Sequence, residues 1–322
     1  MIGRSWKFNL LLLLTAAIWG FAFVAQRVGM AHVGPFTFNG VRFALGAMIL
    51  IPLLVRQRKR PGKVKGRPGS TDRKFILLGG GLAGLFLFFG ASLQQTGIVS
   101  TTAGKAGFIT GLYVIIVPIL GLFWRLRSGI ETWLGAVLAV TGLYLLSMTG
   151  RLSISMGDLL VLLGAFFWAG HVLIIGWLSP KIDPIKIAFL QFAACSLLSL
   201  ITAGFVETVT LEGISGAAIP ILYAGLMSSG VAYTLQVVAQ RRVRPTHAAI
   251  ILSLEAIFAV LGGWLLLEEI LTVRELLGCA LMLGGMLLSQ MDLKAKFLPL
   301  RSDAELSIES RKPHEETWER RE

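Results

Sequence analysis

The sequence predicts an all-α integral membrane protein of ten transmembrane helices, arranged as two inverted five-helix repeats. Three observations carry that expectation. Apolar runs of bilayer-spanning length recur along nearly the whole chain, basic residues gather on alternate joins between them, and the second half repeats the first. The 322 residues are 55% hydrophobic and only 15% charged, where soluble domains run near 25% charged. About 20 apolar residues cross the roughly 30 Å hydrocarbon core as a helix.

Ten windows answer to that description. The first is 8–30, where Arg4 and Lys7 ahead of the apolar run would also suit a cleaved signal peptide. A similar segment returns mid-chain at 157–178, where no signal peptide can stand, so 8–30 is read as a span. Gly34-Pro35 marks a turn and opens 35–55. The run RQRKRPGKVKGRPGSTDRK over 56–74 separates this window from 75–99, and 103–124 and 131–148 complete the first half. The second half holds 157–178, then 184–206 after the turn former Asp183-Pro184, and 217–238, 245–267 and 275–291. The tail 292–322 is polar and mixed in charge, and partial disorder is expected there.

The formal net charge is +12, of which 56–74 supplies +8 through nine basic residues against Asp72. No aromatic platform is interleaved with those cations, so the segment reads as a membrane-proximal loop and not as a nucleic-acid surface. Anionic lipid headgroups are within its reach as partners. With the N-terminus in the cytoplasm, 25 of the 30 Lys and Arg fall on inner segments; Arg27, Arg151 and Arg274 fall outside, and Arg42 and Lys105 within spans. That asymmetry places both termini of this multi-pass chain in the cytoplasm.

Laid against itself, the chain shows two copies. At an offset of 149, Trp19, Pro35 and Phe43 meet Trp168, Pro184 and Phe192. At 142, Gln94 and Gly121 meet Gln236 and Gly263, and at 143, Gly135 and Gly142 meet Gly278 and Gly285. Five spans is an odd number, so the second copy starts from the opposite face, as in many secondary transporters. The segments QQTGIVSTTAGKAGFITGLYVIIVP and RPTHAAIILSLEAIFAVLGGWLLLEEILT, with WGFAF near the start, resemble the EamA-type branch of the drug/metabolite transporter superfamily. The resemblance runs from about residue 8 to 291, as two tandem units over 8–148 and 157–291, followed by the tail 292–322. It implies a bacterial inner-membrane carrier, commonly an exporter of amino acids, metabolites or drugs, with a central cavity lined by spans 1, 3, 4, 6, 8 and 9. Its motifs specify fold better than substrate.

Polar side chains inside the spans are the candidate site. Trp19 and Trp168 stand eleven residues into their windows, and Tyr113 and its repeat partner Glu255 stand ten. At 1.5 Å per residue all four lie roughly 15–17 Å deep, near mid-bilayer. His171 follows Trp168 by three residues and shares its face. An ionised carboxylate at that depth costs at least about 2.5 kcal/mol. Glu255 must therefore face a cavity, pair, or stay protonated: it handles substrate, cation or proton, or it makes a neutral packing hydrogen bond. Lys105, one turn into its window, opposes the helix dipole; it lines the cavity toward an anionic group, or it snorkels. Its repeat partner His247, beside Arg241, Arg242 and Arg244, reads as interface. Gln94, with Gln95 and Gln236, is a cavity-lining candidate. Trp19 and Trp168 either shape the binding site or pack between helices. Arg42, seven residues into its window, is expected to be structural, bonding backbone carbonyls or Glu side chains; its repeat counterpart is the neutral Gln191.

These residues favour a secondary transporter, an exporter of a small metabolite, amino acid or drug working by alternating access. No Walker-type loop is present, so a gradient would supply the energy, with proton coupling through Glu255 or His171 open. The alternative is an intramembrane enzyme acting on a lipid-soluble or lipid-linked substrate. It would need a clustered His/Asp, Ser/His or metal constellation, and the sequence has no HExxH, no GxSxG and only four histidines. Cys195 and Cys279 offer no metal spacing and no disulfide framework, and neither cofactor nor metal is expected. Residues 79–84, GGGLAG, fit GxGxxG but follow no strand, so small-residue helix packing explains them, as it does Gly107 and Gly111. Pro118 is expected to kink the fourth window. Its counterpart is Val260, so the two halves should bend differently.

Overall fold

A computed structural model describes residues 6–58, 72–101, 103–123, 126, 128–147, 155–267, 272–289 and 291. Every regular element among them is helical. The first half contains α1 (Trp6–Gly29), α2 (Pro35–Arg58), α3 (Arg73–Ile98), α4 (Ala103–Gly111), α5 (Tyr113–Phe123) and α6 (Ile130–Ser147). The second contains α7 (Met156–Leu178), α8 (Pro184–Val206), the short α9 (Leu211–Gly216) and α10 (Ala218–Leu222), and a π-helix over Tyr223–Tyr233. It ends with α11 (Thr234–Gln240), α12 (Pro245–Leu252), α13 (Glu255–Leu267) and α14 (Val273–Ser289).

Local chemistry starts the long helices where the turn formers stand. Asp183 accepts from the backbone N–H of Ile185 and Lys186, ahead of Pro184 at the first position of α8. Pro there gives up only a donor that helix ends leave free anyway. Ser155 and Asp158 bond reciprocally as a capping box on α7. Eight stretches among the described residues are long and apolar enough to cross a bilayer: α1, α2, α3, α7, α8, Ala106–Phe123, Ala218–Gln240 and Pro245–Leu266. The apolar parts of α6 and α14, Ile130–Leu145 and Leu276–Ser289, are shorter. Side chains such as Phe205, 86% exposed, and Leu78, 74% exposed, stand on the outside of the bundle, a surface suited to lipid and not to water.

Two of the crossing stretches are broken near their middles. Gly111 gives way to a turn at Leu112, whose N–H bonds three residues back to Ile109, and α5 restarts at Tyr113. Ser253 and Leu254 make the second break, where the Ser253 hydroxyl takes the Ile250 carbonyl and α13 restarts at Glu255. A side-chain hydroxyl competing for a backbone acceptor weakens the helical ladder at that point. Pro118, where a kink is expected, sits within α5, while the break in that stretch comes six residues earlier beside a glycine and the stretch opposite breaks at Ser253–Leu254.

Helices associate where small residues let backbones meet, since lipid offers no hydrophobic drive. α6 lies along α14, α2 on α8, α3 on α7 and α8, and α1 on α13. A methyl group added at Gly142 would sit 2.5 Å from the Gly278 carbonyl oxygen, so α6 and α14 touch through backbone. The GGGLAG run does the same on α3: a methyl at Gly80 would meet Leu190 Cβ at 2.5 Å, and at Gly84 it would meet Ala194 Cβ at 2.5 Å, both on α8. These contacts draw α1, α3, α7 and the broken stretches around one polar interior.

Candidate functional site

The interior holds a small cavity of about 30 Å³. Trp19, Phe23 and Gln26 reach it from α1, Arg42 from α2 and Gln94 from α3. Thr110 and Tyr113 stand on either side of the first break, and Glu255 stands at the second. Trp168 and His171 come from α7, Ser228 and Tyr233 from the π-helix, and Gln236 from α11. Because α13 begins at Glu255, its acid lies at a helix N-terminus, where the backbone dipole favours negative charge. The breaks thus put reactive side chains and helix ends at mid-depth, the arrangement discontinuous spans give to transporters.

Aromatic rings frame the cavity and hydrogen bonds fix them. Tyr233 is the hub: its ring centroid lies 4.5 Å from Trp19, 6.0 Å from His171 and 6.1 Å from Trp168, with which it stacks. The Trp168 indole N–H donates to Gln94 Oε1 at 2.7 Å, and Gln94 Nε2 donates to Gln26 Oε1 at 3.3 Å, tying α7, α3 and α1 together. His171 Nε2 and Gln191 Oε1 lie 2.8 Å apart. The π-helix, whose wide turns leave carbonyls poorly used, is held by α1: Trp19 Nε1 donates to Ser228 O at 3.3 Å, and Thr15 Oγ1 to Ala232 O at 3.1 Å.

Glu255 and Tyr113 face each other across the cavity, carboxyl toward phenol. Among the described residues, Thr110 Oγ1 and both amide atoms of Gln236 are buried there without a hydrogen bond. Arg42 is 2% exposed; its Nε donates to Asn39 Oδ1 at 3.0 Å, and its guanidinium lies 4.6 Å from the Phe43 ring centre. No carboxylate within salt-bridging distance answers it among the described residues. Buried polar groups are nearly always satisfied, and an unanswered buried cation is costlier still. A cavity that gathers several such groups is prepared for a ligand that supplies the missing partners.

Seven sequence candidates therefore meet in one place: Trp19, Gln94, Tyr113, Trp168, His171, Gln236 and Glu255. Arg42 joins them: it faces the cavity, and its Nε bonds the Asn39 side chain where backbone carbonyls or Glu were expected. The α2 span must accordingly be added to the six expected to line the site. Gln95 turns away to donate to the Gln26 carbonyl at 3.2 Å. The side chain of Lys105 lies outside the described residues, as do 59–71 of the basic loop, Arg151, the turn 268–271 and the tail from 292. Tyr233, Gln26, Thr110 and Ser228 were not singled out from sequence. Gln26 follows Trp19 by seven residues, two helical turns along the same face, and Tyr233 precedes Gln236 by three. No group of three or more His, Cys, Asp or Glu among the described residues is placed to hold a metal ion.

Comparison with known proteins gives a consistent picture. The model of the EamA-like transporter family matches twice, over residues 6–148 and 155–291. The chain is 32% identical over 275 residues to an uncharacterized transporter of Archaeoglobus fulgidus, covering 84% of this chain and 82% of that one. It is 25% identical over 279 residues to the uncharacterized transporter YoaV of Bacillus subtilis, covering 84% and 92%. A protein of Escherichia coli named "Probable amino-acid metabolite efflux pump" is 26% identical over 308 residues, 90% of this chain and 97% of that one. A crystal structure at 15% identity superposes with a TM-score of 0.73 over 92% of this chain and 100% of the other, which shows a shared fold.

Proposed function

Because the chain belongs to the EamA-like transporter family and is thus a membrane transporter, we propose that it is a secondary carrier that exports a small zwitterionic solute, of the amino-acid type, by alternating access. Two inverted five-helix units, 8–148 and 157–291, enclose the cavity and rock about it in the inner membrane, with both termini in the cytoplasm. One observation carries the reading. The buried Glu255 carboxyl, at a helix break beside Tyr113, shares its cavity with an Arg42 guanidinium that no carboxylate answers among the described residues. A solute bearing one carboxylate and one ammonium supplies both partners, and the Trp19, Trp168 and Tyr233 rings receive its side chain. The name of the Escherichia coli relative, which mentions amino-acid metabolites, agrees with that chemistry.

In this reading Glu255 meets the ammonium or the coupling proton, and Arg42 meets the carboxylate. Tyr113 and Gln94 position the solute between them. Proteoliposomes loaded with labelled amino acids test it. Gradient-dependent efflux through the intact protein, abolished in Glu255→Gln while that variant still inserts and elutes as a single species, is the expected result. Near-normal flux in Glu255→Gln would remove Glu255 from the mechanism. Chemical conversion of the solute in place of its movement would favour the intramembrane enzyme.

A further inference from the structure

A second opening lies away from the central cavity, at the end of the bundle where α2 ends and α3 and α8 begin. It encloses about 1120 Å³ and is open on one side to the surroundings. Its walls are apolar: Ile51 and Leu53 come from α2, Leu77 from α3, and Phe189 and Leu190 from α8. Its rim is cationic, with Arg56, Arg73 and Lys186 against Asp183. That acid is already engaged, since Asp183 Oδ1 accepts from Ile185 N at 2.9 Å and Lys186 N at 3.3 Å as the cap of α8.

The other end of the same helix pair is built differently. There Glu207, just past the end of α8, accepts from Phe36 N and Thr37 N at 2.8 Å each and from Thr37 Oγ1 at 2.7 Å. The carboxylate draws α8 onto the N-terminus of α2. The pair is clasped by an acid at one end and spread around a cationic, apolar-walled groove at the other.

The geometry points to a binding site for one anionic phospholipid, its phosphate held among Arg56, Arg73 and Lys186 and its acyl chains laid against Ile51, Leu77 and Phe189. Leu77 is 49% and Ile51 45% exposed, and an aqueous occupant would leave those walls uncovered. Three cations beside one engaged acid select a headgroup of net negative charge. Segment 59–71 carries five cations and no acid, so its charge opposes the rim. A free phosphate would satisfy the rim and abandon the walls.

Native mass spectrometry of the full-length protein, titrated with phosphatidylglycerol or phosphatidylcholine of identical chains, tests the site. One phosphatidylglycerol is expected to stay bound at collision energies that strip phosphatidylcholine. In R56A/R73A/K186A the occupied fraction should fall about tenfold or more, and in R241A/R242A/R244A, basic but outside the groove's lining, it should persist. Leu77→Trp fills the groove with every charge in place and should also expel the lipid, while R56K/R73K should keep it. Each variant is first shown to elute as a single species; should the triple-alanine protein fail there, Leu77→Trp and R56K/R73K decide. Equal retention of the two lipids, or an adduct surviving Leu77→Trp, would overturn the assignment. Displacement by inorganic phosphate or by a synthetic peptide of residues 59–71 would overturn it equally, by naming another occupant.

Discussion

At the scale of single residues, the polar groups that bilayer energetics forbids to stand idle are the ones that converge. Arg42 makes the sharpest case, because its guanidinium is buried, stacked over Phe43 and unanswered by any described carboxylate. If it receives the substrate carboxylate, Arg42→Gln removes a charge-assisted bond of about 1.5–3 kcal/mol. Apparent affinity for a carboxylate-bearing substrate should then weaken by roughly tenfold to hundredfold. Uptake of the matching carboxamide should hardly change, and competition assays in proteoliposomes measure both. Tyr233 offers a second contrast: Tyr233→Phe preserves the ring that packs on Trp19 and Trp168, whereas Tyr233→Ala removes the hub. Transport should survive the first change and fall by more than tenfold in the second, with a loss of roughly 3–5 kcal/mol typical of emptying a buried aromatic site. Depth alone found Glu255, Tyr113, Trp19 and Trp168, since counting 1.5 Å per residue places a side chain along a span. Depth cannot say which way a residue faces, so Arg42 read as structural, and Tyr233, with no polar repeat partner, went unnoticed.

At the scale of the element, what sequence conveys least is where a helix stops being regular. Apolar runs gave the spans, yet the breaks at Leu112 and Ser253–Leu254 and the π-helix at Tyr223–Tyr233 left no compositional mark beyond a glycine and a serine. Their stability depends on partners far away in the chain, such as the α1 donors on the π-helix. Helix caps show the same division. Asp183 caps α8 locally and was legible as a turn former, but the corresponding position ahead of α2 is Gly34, and its capping carboxylate arrives from Glu207. A methyl group at Gly34 would stand 2.2 Å from Glu207 Cδ. Gly34→Ala should therefore displace the cap and cost about 1–3 kcal/mol, and Glu207→Ala about 0.5–2 kcal/mol. The two losses share one cause, so the double variant should melt little below the worse single one. Thermal unfolding of the four proteins in detergent measures the coupling, and strictly additive shifts would separate the glycine from the carboxylate.

At the scale of the whole molecule, the architecture turns on whether α6 crosses the membrane. Its 18 residues span about 27 Å, a few ångströms short of a typical hydrocarbon core, and a local thinning of the bilayer accommodates that mismatch at small cost. If α6 crosses, residue 30 follows one crossing and residue 180 follows six, which puts them on opposite faces and makes the two units antiparallel. Were α6 to lie along the surface, residue 180 would follow five crossings and share a face with residue 30. The distribution of Lys and Arg favours the first arrangement, and so does the backbone contact of α6 with α14, which gives these two apolar helices, both short of the eight longer stretches, a common environment. Single cysteines decide it. In a protein with Cys195 and Cys279 replaced by serine, Met30→Cys should react with a membrane-impermeant maleimide on intact cells, and Pro180→Cys only after the cells are opened. Labelling of both from outside would turn the second unit over, place Arg241, Arg242 and Arg244 on the outer face, and dissolve the inverted pairing of Tyr113 with Glu255 on which the alternating-access reading stands.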